Sequence, residues 1–194
     1  MSEEVLILHG WQNRRPEGHW QRWLADRLEA QGWRVRYPQL PEPDAPVLDD
    51  WLAALDAELS GTEPARLTVV AHSLGSMLWM AYAARRAEAG ADGVVARRIV
   101  LVSPAAPDVL RGIPEIAEFA PVQDGDAARR ALTASAVERP VIVASDADPY
   151  CPEGTDVRYA IPLGVDFVQV PGGGHLTPDD GYGPFPLVYD VVTR

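Results

Sequence analysis

The sequence contains no lysine, so arginine carries all 17 basic charges, set against 28 aspartates and glutamates. The resulting formal charge of −11 favours solubility and opposes contact with a phosphate backbone, which argues against nucleic-acid binding. A lone cysteine, Cys151, excludes an internal disulfide framework and a cysteine-based zinc site. No pair among the four histidines stands at metal-ligand spacing with carboxylates, so no metal is expected. Long apolar runs are missing as well. Met1-Ser2-Glu3-Glu4 leads into a run of only four apolar residues, Val5 to Leu8, which fits neither a signal peptide nor a membrane span. A soluble cytoplasmic protein without membrane association is the expectation. Repeats, low-complexity tracts and polar linkers are absent too, and 194 residues is about one domain's length, so one domain over 1–194 is expected.

What is present is an alternation. Short β-branched runs at 5–9, 33–37, 67–71, 98–102, 140–144 and 165–170 are separated by helical patterns. Four of the runs are continuously apolar, as parallel strands covered on both faces require. Leu48, Trp51, Leu52, Leu55 and Leu59 fall at helical spacing, as do Trp20, Leu24 and Leu28. Alternation of this kind predicts a three-layer α/β/α sandwich around a mostly parallel sheet of about six strands. Between 103 and 139 no strand is evident. Its proline-rich first half reads as an irregular excursion and 127–137 as a helix, leaving room for a small flap and no full lid.

The chemistry centres on Ala71-His72-Ser73-Leu74-Gly75, which joins the 67–71 strand to a helix carrying Met77, Leu78, Ala81 and Tyr82. A serine at a sharp strand-to-helix turn is the setting of a nucleophile elbow, whose flanking small residues allow close backbone approach. Gly75 fits that pattern, while Ala71 stands where a first glycine is usual. The competing reading is a serine helix cap in a plain βα turn.

Two later loops supply partners. Ser145-Asp146-Ala147-Asp148-Pro149 follows the fifth run, and Pro171-Gly172-Gly173-Gly174-His175 follows the sixth. Both leave the C-terminal ends of their strands, the edge where α/β sheets carry their sites. The chain order serine, acid, histidine is that of a hydrolase triad. Serine needs a base within hydrogen-bond reach, and neutral His175 can take the Ser73 proton and return it to a leaving group. An aspartate on the other ring nitrogen fixes the tautomer. Asp148, deeper in a loop stiffened by Pro149 and Pro152, is preferred over Asp146, which can cap the following turn. An oxyanion hole needs two donors. One is expected from the Leu74 backbone amide and the other from His9-Gly10-Trp11-Gln12, where Gly10 permits an unusual backbone path and aims the amide of Trp11 or Gln12 inward. That loop lacks Gly-x-Gly-x-x-Gly, which argues against a dinucleotide, and no cofactor is expected.

Taken together, Leu8-His9-Gly10, Trp20, His72-Ser73-Leu74-Gly75, 145–152 and Gly174-His175 resemble the α/β-hydrolase superfamily. In particular they are similar to its small serine hydrolases related to retinoblastoma-binding protein nine and the bacterial protein YdeN. The resemblance spans nearly the whole chain. It implies a minimal α/β-hydrolase fold with little or no lid and a triad that falls, by motif, on Ser73, Asp148 and His175. The implied activity is cleavage of an ester, thioester or amide of a small acyl substrate through an acyl-enzyme. Alternatives on the same scaffold are a non-catalytic interaction module, or perhydrolase or lyase chemistry with the same triad. Nothing in the sequence designates a protein partner.

The remaining conspicuous residues have plainer readings. His72 and His9 read as structural, and His19, near a helix start, as solvent-facing. Trp20, Trp51 and Trp79 read as core, whereas Trp11 is placed to line a pocket. Cys151 reads as a packing residue, Arg14 and Arg15 as solvated, and Tyr182 and Phe185 as one wall of the cleft.

Overall fold

The computed structural model describes residues 2–91, 93–121 and 125–194. Six parallel strands form one sheet: β1 (Glu4–Leu8), β2 (Arg34–Arg36), β3 (Leu67–His72), β4 (Arg98–Val102), β5 (Val141–Ser145) and β6 (Asp166–Val170). Their order is β2-β1-β3-β4-β5-β6, and every pairing is parallel. The order reverses between β1 and β3, and ligands collect at such a switch point.

The period-two pattern of the strands feeds two cores. Leu6 and Leu8 of β1, with Val69, Ala71 and Leu101, face α2 (Leu48–Leu59) and α3 (Leu74–Glu88). Val5 and Ile7, with Val70, Val100 and Val143, face α1 (Trp20–Glu29) and α7 (Pro186–Thr193). The expected stripes are these buried faces: Trp20, Leu24 and Leu28 on α1, and Trp51, Leu52 and Leu55 on α2. Trp79 is buried on α3. Among the described residues, no helix is long and apolar enough to cross a membrane.

Two local expectations change. The prolines after β4 start short helical pieces: Pro107 opens α4 (Pro107–Arg111) and Pro114 opens a 3-10 turn (Pro114–Phe119). Proline is at home there because the first helical turn leaves its N–H groups unused. The helix expected at 127–137 is α5 (Gly125–Ala134). It stops early because the backbone beyond it pairs with Ala96: Val95 and Ala96 donate to the Ser135 carbonyl, and Val137 donates to that of Ala96. A π turn (Asp156–Ala160) and the short α6 (Ile161–Leu163) then connect β5 to β6.

Candidate active site

β3 runs into α3 through Ser73, whose backbone sits at φ 53°, ψ −120°. A side chain there costs about 1–3 kcal/mol and persists only where its surroundings fix it. The Ser73 amide donates to the Val102 carbonyl at 2.9 Å, and the Ser76 amide returns to the Ser73 carbonyl at 2.9 Å. The Ser76 hydroxyl, fully buried, donates to the carbonyls of Ala71 (2.9 Å) and Val102 (3.2 Å). Gly75 is required by contact: a Cβ there would lie 2.7 Å from the carbonyl oxygens of both His9 and Leu8. The extra methyl of Ala71 is absorbed in the main core.

The two later loops converge on this turn. His175 Nε2 lies 2.8 Å from Ser73 Oγ, and its Nδ1 lies 2.9 Å from both carboxylate oxygens of Asp148. Asp148 is 2% exposed and also accepts from the Tyr150 amide at 2.9 Å. A carboxylate beside Nδ1 keeps the ring proton on that nitrogen, so Nε2 is left to accept from the Ser73 hydroxyl. The Tyr150 ring covers His175 at a centroid distance of 4.4 Å. Asp146 is exposed and turned elsewhere, accepting from the Gly172 amide (2.7 Å) and Gln169 Nε2 (2.8 Å). Those bonds, the Gly172 amide first, lower its pKa.

Several residues that the sequence reading did not single out brace the His175 loop, among them the Thr177-x-x-Asp180 capping box. Asp180 Oδ2 accepts from the amides of His175 (3.0 Å) and Thr177 (3.1 Å) and from the Thr177 hydroxyl (2.8 Å). Ser145 Oγ accepts from Ala147 (3.0 Å) and Gly173 (2.8 Å), tying the acid loop to the histidine loop. Trp20 Nε1 donates to the Leu176 carbonyl at 2.9 Å. His72 is buried, and its pKa is pushed well below the usual value first by burial and then by its electrostatic coupling to the neighbouring His175 and His19 rings.

Ser73 opens onto a cleft of about 680 Å³ whose lining includes Trp11, Leu110, Ile116 and the Thr177–Asp180 segment. Of the two amides expected from the first loop, that of Gln12 is already given to the Pro43 carbonyl at 2.8 Å. The Trp11 and Leu74 amides have no acceptor among the described residues. Gly10 plays a different part from the one expected. Its φ is not positive; the left-handed residue is Gln12, at φ 57°. Glycine is needed at 10 for clearance, because a Cβ would approach Ser73 Cβ to 3.0 Å and Oγ to 3.4 Å.

His9 is an anchor, accepting from the Leu40 amide at 2.9 Å. His19 departs from expectation: it is 4% exposed and caps α1 by accepting from the Gln21 amide. Tyr182 and Phe185 do not wall the cleft; they pack in the second core, where Phe185 meets Trp20 edge-on. Arg14 pairs with Asp44, and Arg15 bonds the Tyr37 carbonyl. Cys151 is buried, and burial raises its pKa.

A six-stranded parallel sheet with helices on both faces and a strained serine turn at its switch point is the architecture of an α/β hydrolase. The family model for serine hydrolases matches residues 5–194, and the chain belongs to that family. The YdeN protein of Bacillus subtilis (strain 168), named as a hydrolase, is 30% identical over the whole chain and 96% of its own length. The crystal structure of the B. subtilis ydeN gene product superposes with a TM-score of 0.82 at 27% identity, covering 99% of this chain and 97% of that one. A YdeN-like hydrolase from Pectobacterium atrosepticum shares the fold, with a TM-score of 0.73 at 21% identity over 98% of this chain and 88% of its own.

Proposed function

We propose that this hydrolase cleaves small acyl esters, thioesters or amides through an acyl-enzyme on Ser73. The observation that carries the reading is the continuous row from Ser73 Oγ through His175 to Asp148, with contacts of 2.8 and 2.9 Å. His175 Nε2 takes the hydroxyl proton as Ser73 Oγ bonds to the acyl carbon, and the buried Asp148 stabilises the imidazolium. The carbonyl oxygen becomes an oxyanion, for which the unspent Trp11 and Leu74 amides are the donors. His175 then hands its proton to the leaving oxygen or nitrogen as that bond breaks. A water follows the same path in reverse and releases the acid.

Leu110 and Ile116 stand at the cleft, and the excursion after β4 adds only short helical pieces there. Acetyl and butyryl groups therefore suit the site better than long chains, and a rate that climbs past octanoyl contradicts the short-acyl assignment. The decisive test is labelling by a fluorophosphonate probe. Labelling of the folded protein, abolished in Ser73→Ala, is expected. Absence of labelling favours a non-catalytic interaction module, and labelling without turnover of any acyl compound favours other chemistry with the same residues.

A further inference from the structure

His19 has a ring nitrogen with nothing to do in the protein itself. Its Nδ1 accepts from the Gln21 amide at 3.1 Å, so in the neutral ring the proton sits on Nε2. Burial lowers its pKa to about 4, which keeps the ring neutral near pH 7. The Nε2–H has no acceptor among the described residues, although His19 is only 4% exposed. It is not one of the fully buried side-chain atoms left without a partner, so it reaches the space of the cleft and is free to bond a ligand there. His19 lines the same cleft as Ser73.

Its position indicates the use. The His19 ring lies 5.5 Å from His72, whose ring lies 5.2 Å from His175. A wall of three imidazoles thus runs away from the group that protonates the leaving oxygen. Leu110 and Ile116 belong to the apolar part of the cleft, which suits an acyl chain.

We propose that His19 Nε2 donates a hydrogen bond to an oxygen in the leaving-group portion of the substrate. The enzyme then selects esters of hydroxylated or ether alcohols over esters of plain alkanols. This inference rests on the acyl-enzyme reading above.

The test compares 2-hydroxyethyl butyrate with propyl butyrate, which differ by a hydroxyl in place of a methyl. The readout is the ratio of their kcat/KM values, each divided by that ester's hydroxide-catalysed rate. The wild-type ratio is expected to be about tenfold in favour of the hydroxyethyl ester. His19→Ser retains a capping oxygen for Gln21 but cannot reach into the cleft, and should bring the ratio close to one. Because the ratio is internal to each protein, a general loss of activity does not affect it. A wild-type ratio near one, or a preference that survives His19→Ser, overturns the proposal. A preference that instead follows a hydroxyl on the acyl chain, read with ethyl 3-hydroxybutyrate against ethyl butyrate, overturns the leaving-group assignment. Failure of fluorophosphonate to label Ser73 removes the acyl-enzyme reading and this inference with it. Labelling with a ratio of one removes the inference alone.

Discussion

The imidazole of His72 donates through Nε2 to the main-chain oxygen of His175 at 3.0 Å. The residue before the elbow serine thus holds the segment that carries the serine's own hydrogen-bond partner. Replacing His72 by alanine frees that segment while leaving the ring of His175 intact. We expect kcat on a short acyl ester to fall by roughly 10- to 100-fold, as small misplacements of reacting groups do, with KM changing far less. Steady-state kinetics separate the two, and equal changes in kcat and KM would count against a positioning role.

The two aspartates of the β5 loop should behave differently. Asparagine at 148 replaces the carboxylate that faces His175 Nδ1, and a loss of about 10³–10⁴ in turnover is expected with the fold intact. Asparagine at 146 keeps an oxygen for the Gly172 amide on an exposed loop, so the loss there should stay below about tenfold. Greater damage from Asp146→Asn would reverse the assignment of the acid.

Gly10 and Gly75 make a paired test of clearance. Alanine at 10 meets the Ser73 side chain, so activity should drop about 100-fold with stability changed by less than about 1 kcal/mol. Alanine at 75 meets two backbone carbonyl oxygens at 2.7 Å, which cannot move without β1. That variant should lose about 1–3 kcal/mol of stability as well as activity. Urea unfolding beside an esterase assay distinguishes the two patterns.

The buried histidines make stability depend on acid. Burial lowers the pKa of both His9 and His19 from 6.5 to about 4 in the folded protein. Between those values the unfolded chain binds more protons, so stability rises with pH across the window and is lost as pH falls from 6.5 towards 4. Above 6.5 neither group contributes. His19→Asn keeps a capping acceptor for α1 and removes one titration. The stability difference between pH 7 and pH 5 should then shrink by about 2 kcal/mol, read from urea unfolding followed by tryptophan fluorescence.

The strand pattern was legible because four of the six runs are continuous apolar segments that only a doubly covered sheet accepts; their order in the sheet is a property of the fold that the runs alone do not fix. Ser73, Asp148 and His175 were legible as a set because each follows a strand, so local sequence already placed them at one sheet edge. What stayed hidden depends on contacts between segments far apart in the chain. His19 lies in a polar stretch, and its burial arises where α1 packs beneath the loop that Trp20 grips at Leu176. Asp180 is the N3 residue of a Thr177-x-x-Asp180 capping box, a spacing the sequence does carry, but its added bond to the His175 amide is a matter of the folded loop. Tyr182 and Phe185 looked exposed to the cleft because proximity to His175 in sequence says nothing about which face of the turn they take. Gly10 was recognised as necessary, but its reason, the approach of Ser73, belongs to a residue 63 positions later.

The elbow's backbone sets a conflict between chemistry and drift. At φ 53°, ψ −120° glycine is the residue the main chain accepts most readily, yet glycine there has no hydroxyl. Ser73→Gly should therefore be more stable than Ser73→Ala by about 1 kcal/mol while equally inactive, as paired unfolding curves can measure. Any lineage released from the need to hydrolyse would gain stability by making that exchange. On the proposed acyl-enzyme reading, the chemistry asks for serine at this position while the backbone asks for glycine.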